Sequence, residues 1–105
     1  MPNIVGIVSF TLKKGVSESD FLLAHEKYNK EVVSKQKGYI SHKLLVNGDK
    51  WSDMVMWESM EDTQKTFEAV QENAIALGIM ELIDQIGNDD DIPLFSVVKN
   101  YNDKN

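Results

Sequence analysis

The segment YISHKLLVNGDKWSDMVMWE, residues 39–58, limits the folds open to this chain more than any other. Two runs rich in β-branched, aromatic and aliphatic residues flank Asn47-Gly48. Asn-Gly between such runs is a strong signal for a β-hairpin. Tyr39–Asn47 and Trp51–Glu58 are therefore expected to pair antiparallel. Strand alternation puts Ile40, His42, Leu44 and Val46 on one face and Tyr39, Ser41, Lys43 and Leu45 on the other. On the return strand Trp51, Asp53, Val55 and Trp57 share a parity, which leaves Met54 and Met56 to the opposite face.

The flanks of the hairpin complete the architecture. Upstream, Asn3–Leu12 (NIVGIVSFTL) is apolar in both alternating sets, which predicts a strand covered on both faces. Lys13–Gly15 then turns the chain. Ser17, followed by Glu18 and Asp20, opens a helix. Its buried stripe is Phe21, Ala24, His25, Tyr28 and Val32, it runs to about Gln36, and Gly38 closes it or the loop after it. Downstream, Ser59 and Asp62 form a capping-box-like SMED, and Met60, Thr63, Phe67 and Val70 make the second helical stripe. Ile75, Ile79, Leu82, Ile83 and Ile86 continue as a third helical segment closed by Gly87. Asn88–Asp91 reads as a polar loop. Ile92–Tyr101 is the last strand, at an edge because Pro93 cannot donate to a ladder. The order β-α-β-β-α-β predicts an α+β, ferredoxin-like sandwich with an antiparallel four-stranded sheet. At 105 residues this is one domain, 1–105, with its core over about 3–101 and a frayed tail at 102–105.

Composition removes several function classes. The net charge of −6 argues against nucleic acid and against an anionic membrane surface, since both need clustered Lys and Arg. No apolar run is long enough to span a bilayer. MPNIVGIVSFTLKKG reads as a first strand rather than a signal peptide. With no cysteine the chain has no disulfide, thiolate nucleophile or iron–sulfur cluster, which fits a cytoplasmic protein. The two histidines stand on different elements with neither HxxxH nor HxH spacing, so no metal site is expected. No glycine-rich phosphate loop is present either, and no cofactor is expected. Helices cover one sheet face. The other carries Met54, Met56 and an apolar set of the first strand, and a bare apolar sheet calls for a partner. The expected partner is a second copy of the chain, sheet against sheet; the alternative is a solvated face, for which Ser9, Thr11, Ser41, Lys43 and Ser52 leave room.

GYISHKLL leading into a hairpin, and MVMWESMED leading into the second helix, resemble the dimeric α/β-barrel superfamily, nearest its antibiotic biosynthesis monooxygenase-like group. WES, Trp57–Ser59, is the most specific element. The resemblance implies ferredoxin-like protomers whose sheets form a shared barrel. It also implies a cleft between sheet and helices for a hydrophobic, aromatic or polyketide-like molecule, or a haem, with Trp57 in its wall. The haem-degrading branch would place an asparagine on the first strand and a histidine after WES. Here Val8 and Ser9 stand near the first place, and residues 60–87 contain no histidine, so haem degradation is disfavoured. The stress-responsive branch opens with a histidine where this chain has Gly6. The activity implied is cofactor-independent oxygenation of an activated aromatic. The alternative is a binding or interaction module without catalysis.

Each candidate residue has two readings. Trp57 is a pocket wall or simply core. Trp51 shares that pocket wall, or lies partly exposed at the hairpin end. Asp53 handles a proton or is a solvated strand-end carboxylate. His42, on an apolar strand face, is a general base or a structural histidine. His25 lies on the helical stripe and lines the cleft with Tyr28, or is partly buried at the stripe edge. The catalytic candidates are thus His42, His25 and Asp53, and the substrate-binding candidates are Trp57, Tyr28 and Phe67.

Overall fold

The computed structural model describes residues 2–86 and 92–101. The elements are β1 (Ile4–Leu12), α1 (Glu18–Glu31), β2 (Tyr39–Asn47), β3 (Lys50–Trp57), α2 (Met60–Val70), α3 (Ala74–Met80), β4 (Ile83–Gln85) and β5 (Leu94–Ser96). β3 lies between β1 and β2, and every pairing is antiparallel. The outer edge of β1 is shared. β4 pairs with its end, Phe10–Leu12, and β5 with its beginning, Ile4–Gly6. This is the ferredoxin-like α+β arrangement, with five strands in place of four because the final strand is divided into two short pieces.

Local chemistry sets the boundaries. The hairpin turns on Gly48, whose φ of 65° is the only positive one in the turn, while Asn47 still pairs with Lys50. A single positive φ at the first central residue is the type II′ pattern, whose twist matches the flanking strands. Ser17 and Ser59 cap α1 and α2 by accepting from the backbone N–H of Asp20 and Asp62. Asn73 caps α3 by accepting from Ile75 and Ala76. α1 stops at Glu31, earlier than its apolar stripe suggests, and gives way to a 3₁₀ turn at Val33–Lys35 that buries Val32 and Val33. Gly38 follows at φ 85°, packed so closely on Asp62 that a Cβ there would lie 2.6 Å from that of Asp62.

Four expectations are corrected. Ile83 belongs to a strand rather than a helix, because after Met80 the chain turns and pairs with the end of β1. Ile92, Pro93 and Val97–Tyr101 are not strand, although Val97 still donates to the Asn3 carbonyl. A bulge between Tyr39 and Ser41 shifts the β2 register by one residue, which brings Tyr39 onto the face of His42 and Trp57. On α2 the buried side is Asp62, Thr63 and Thr66, while Met60 is exposed. Both threonine hydroxyls donate to backbone carbonyls one turn back, at Ser59 and Asp62, and so enter the core satisfied. Gly87, Asn88–Asp91 and residues 102–105 lie outside the described residues.

The core lies between the sheet and α1 and α3. Phe10, Phe21, Trp51 and Ile79 form its centre, with Phe21 edge-on to Phe10 at 5.6 Å and to Trp51 at 5.2 Å between ring centroids. Trp51 is therefore buried in the core, not part-exposed at the hairpin end. The opposite sheet face is mixed, with Ser9 bonded to Ser52 and with Ser41 and Lys43 beside Met56 and Met54, and among the described residues no helix covers it. There Val5 pairs with Met56 and Phe95, and Ile7 with Met54. Phe95 and Leu45 are about half exposed, at 52% and 46%. Among the described residues no helix is long and apolar enough to cross a membrane.

Candidate functional site

Asp53 stands in the middle of the helix-facing side of the sheet, opposite Val8 on β1 and Leu44 on β2. A carboxylate there is costly unless hydrogen bonds compensate for its lost hydration. Two histidines supply them. His25, on the inner stripe of α1, places Nε2 2.6 Å from Asp53 Oδ1. His42 pairs directly with Val55, so it is the diagonal neighbour of Asp53, and its Nε2 lies 2.7 Å from the same oxygen. The other ring nitrogen of His42, Nδ1, lies 2.8 Å from Oδ1 of Asn29. Asn29 is one helical turn beyond His25, so both reach toward the sheet from one side of α1. The imidazole centroids are 4.9 Å apart, and the three side chains are 9%, 2% and 19% exposed for His25, His42 and Asp53.

The electrostatics follow from this packing. Burial pushes the Asp53 carboxyl upward, but hydrogen bonds from His25 and His42, with their charge, outweigh it and hold the group below its ordinary value. Asp53 is therefore an ionised acceptor at neutral pH, and a weak base. Burial, and then the negative charge of Asp53, push the Tyr28 phenol up to about 12. Tyr28 thus faces the site as a neutral hydroxyl.

A cavity of about 180 Å³ opens beside the cluster. Its sheet wall includes Val8, His42, Asp53 and Trp57. Tyr28 of α1, Phe67 of α2 and Met80 of α3 are on the opposite side. Trp57 is buried, edge-on to Tyr39 at 6.2 Å between centroids. The lining is mostly apolar, with His42 and Asp53 together on the sheet wall and Thr66 and Gln85 as further polar groups, which is the usual character of a small-molecule site.

Of the six residues singled out in the sequence, His42, Asp53, Trp57, Tyr28 and Phe67 line the cavity. His25 lies behind them, joined through Asp53. Asp53 is not a solvated strand-end carboxylate. The spacing rule that found no ligand cluster also missed what the fold assembles, because donor atoms of His25, His42 and Asp53 lie within 4.8 Å of one another. Asn29 was not identified. Its one sequence signal was its place four residues after His25 on the same helix face.

No family model matches the chain, and no curated protein does. Solved structures do. SnoaB from Streptomyces nogalater, a cofactor-independent oxygenase, superposes in a mutant form with a TM-score of 0.76 at 12% identity, covering 98% of this chain and 100% of that one. A candidate antibiotic biosynthesis monooxygenase from Bacillus cereus gives 0.56 at 17% identity, over 95% and 97%. A conserved protein from Methanosarcina mazei gives 0.63 at 13%, over 95% of both chains. The likeness is one of fold. The chain shares its ferredoxin-like fold with these proteins, the fold that the resemblance implied.

Proposed function

We propose that this protein binds a planar aromatic or polyketide-like molecule in the cavity beside His42 and oxygenates it without a cofactor. The observation that carries the reading is the apolar cavity, walled by Trp57 and ending on a buried His–Asp–His cluster. An apolar cavity of about 150 Å³ can take up a single aromatic ring, so about 180 Å³ suits a compact ring system. Trp57, Tyr28 and Phe67 hold the ring faces. His42 takes a proton from an activated carbon through Nδ1, from which the substrate displaces Asn29, while Nε2–H stays bonded to Asp53. Asp53 and His25 hold that imidazole in place and stabilise its charged form. The substrate carbanion then supplies electrons to dioxygen. One oxygen atom becomes a carbonyl on the substrate and the other leaves as water. The likeness to SnoaB supports this reaction class. The working unit is a cytoplasmic homodimer, one domain per chain, joined through the apolar sheet faces.

Oxygen uptake across a panel of quinols, anthrones and related polyketides tests the reading. His42→Ala is expected to lower the rate by about 10²–10⁴-fold, the range for a lost general base, with folding retained by circular dichroism. Trp57→Ala is expected to act mainly on KM. Loss of neither rate nor binding in these variants would count against the site. One observation favours a binding module instead: Asp53, His25 and His42 spend their facing donors and acceptors on one another. Tight binding of the same panel without oxygen uptake would establish that alternative.

A further inference from the structure

We infer that His25, His42 and Asp53 form a binding site for a divalent first-row transition-metal ion, with a coordination position open to the cavity. The donor atoms come from three elements and converge. His25 Nε2 and His42 Nε2 both point at Asp53 Oδ1, at 2.6 and 2.7 Å, and all three lie within 4.8 Å of one another. Metal–nitrogen and metal–oxygen bonds of about 2.0–2.2 Å separate neighbouring ligand atoms by about 3.0–3.4 Å. Seating an ion therefore takes a withdrawal of the Asp53 carboxylate that widens these two contacts by about 0.3–0.8 Å, together with a drawing-in of the two Nε2 atoms, which lie within 4.8 Å of each other, to the same spacing. Two imidazoles and one carboxylate are a donor set used by catalytic zinc sites and by the facial triad of non-haem iron.

The hydrogen bonds around the cluster point the same way. With the Asn29 amide placed so that Oδ1 faces His42, that oxygen accepts and Nδ1 carries the proton. A neutral His42 then presents the bare lone pair of Nε2 to an ionised carboxylate 2.7 Å away. Two acceptors at that distance need a positive charge between or on them. A second proton on His42 supplies one, and a metal ion supplies a larger one. Asn29 is also what a metal-bound histidine ordinarily has on its far nitrogen, a partner that fixes the tautomer and the ring. The opposite arrangement, with the Asn29 amide turned over so that Nδ2–H donates to Nδ1, lets both Nε2–H groups donate to Asp53 and requires no extra charge. His42 and Asp53 face the cavity beside Trp57, so the position left open on an ion would be filled from there by water or ligand.

The inference does not rest on the oxygenase reading. Ion and proton compete for the same lone pairs, so a loaded site would not use His42 as a base. The test uses the full chain without an affinity tag, stripped with a chelator and titrated with Co²⁺. The expected result is one equivalent bound, with two exchangeable, paramagnetically shifted imidazole N–H resonances. His25 and His42 are the only histidines in the chain, so those two signals identify both ligands in the unmodified protein. Asn29→Ala is expected to weaken Co²⁺ binding by about 10–100-fold and Asn29→Asp to restore it, the range for partners of ligating histidines. Absence of shifted imidazole resonances at millimolar Co²⁺ overturns the inference and selects the turned-over amide. Oxygen uptake in the stripped protein is read separately. Uptake there supports the acid–base reaction whatever the titration gives, and the shifted resonances stand whether or not uptake is seen.

Discussion

Asp53 joins the two halves of the site, since α1 and β2 both reach it through a histidine. Its acid behaviour follows from that role. Because the folded carboxyl lies below its ordinary value, ionised Asp53 stabilises the fold above the unfolded carboxylate value of about 3.9. That contribution is lost as pH falls through the folded value. In chelator-treated protein, the urea midpoint of the wild type should therefore fall more steeply below about pH 4 than that of Asp53→Asn, whose amide does not titrate there. Parallel acid limbs for the two proteins would show that the histidines do not hold the carboxylate. Little of this was legible in the sequence. The face of Asp53 was, because strand alternation places it with Trp51, Val55 and Trp57. Its partners were not, since residues 25, 42 and 53 become neighbours only when α1 packs across the hairpin. A spacing rule sees local clusters, and this one is made by tertiary packing.

At the scale of elements, the strongest sequence signals were those with a local physical cause. The serine caps, the Asn-Gly hairpin and the apolar first strand all appear where local chemistry puts them, and with them the βαββαβ order. Ser59 shows how much one cap carries. Its hydroxyl accepts from the Asp62 N–H at 3.1 Å and donates to Asp62 Oδ2 at 3.0 Å. Asp62 in turn packs against Gly38, at the turn into β2. Ser59→Ala should cost about 1 kcal/mol in urea unfolding, typical of a lost N-cap, with the m-value unchanged. An unchanged midpoint would show that Asp62 holds the helix start alone. The elements that were misread lack such local cues. Ile83 follows helical spacing from Ile79, and only its pairing with Leu12 makes it a strand. The β2 bulge leaves no mark in the alternation of Tyr39–Asn47, yet it decides that Tyr39 packs on Trp57.

At the scale of the molecule, one sheet face is finished and the other is not. The helix side encloses the core and the cavity. The far side presents an apolar patch, Val5, Ile7, Met54 and Met56 with Leu45 and Phe95 about half exposed, edged by Ser9, Ser52, Ser41 and Lys43. An apolar surface of this kind stabilises a protein only once water is removed from it, and a second copy brings the same chemistry by symmetry. The site lies on the opposite side of the sheet, so disrupting the dimer should spare the cluster chemistry while lowering stability. Met54 tests this best, because it pairs with Ile7 in the middle of β3 and its neighbour Asp53 points the other way. Met54→Lys places a charge in the proposed interface, where burial without a counter-charge is strongly unfavourable. Light scattering at micromolar concentration should give the wild type about twice the chain mass of 11.9 kDa, and Met54→Lys about 11.9 kDa. Far-UV circular dichroism should be retained in the variant, because a lysine on an uncovered sheet face is solvated in the monomer. A wild-type mass of one chain would remove the dimer and leave the far face to be explained by another partner. A wild-type dimer that Met54→Lys leaves intact would place the interface off this face of the sheet.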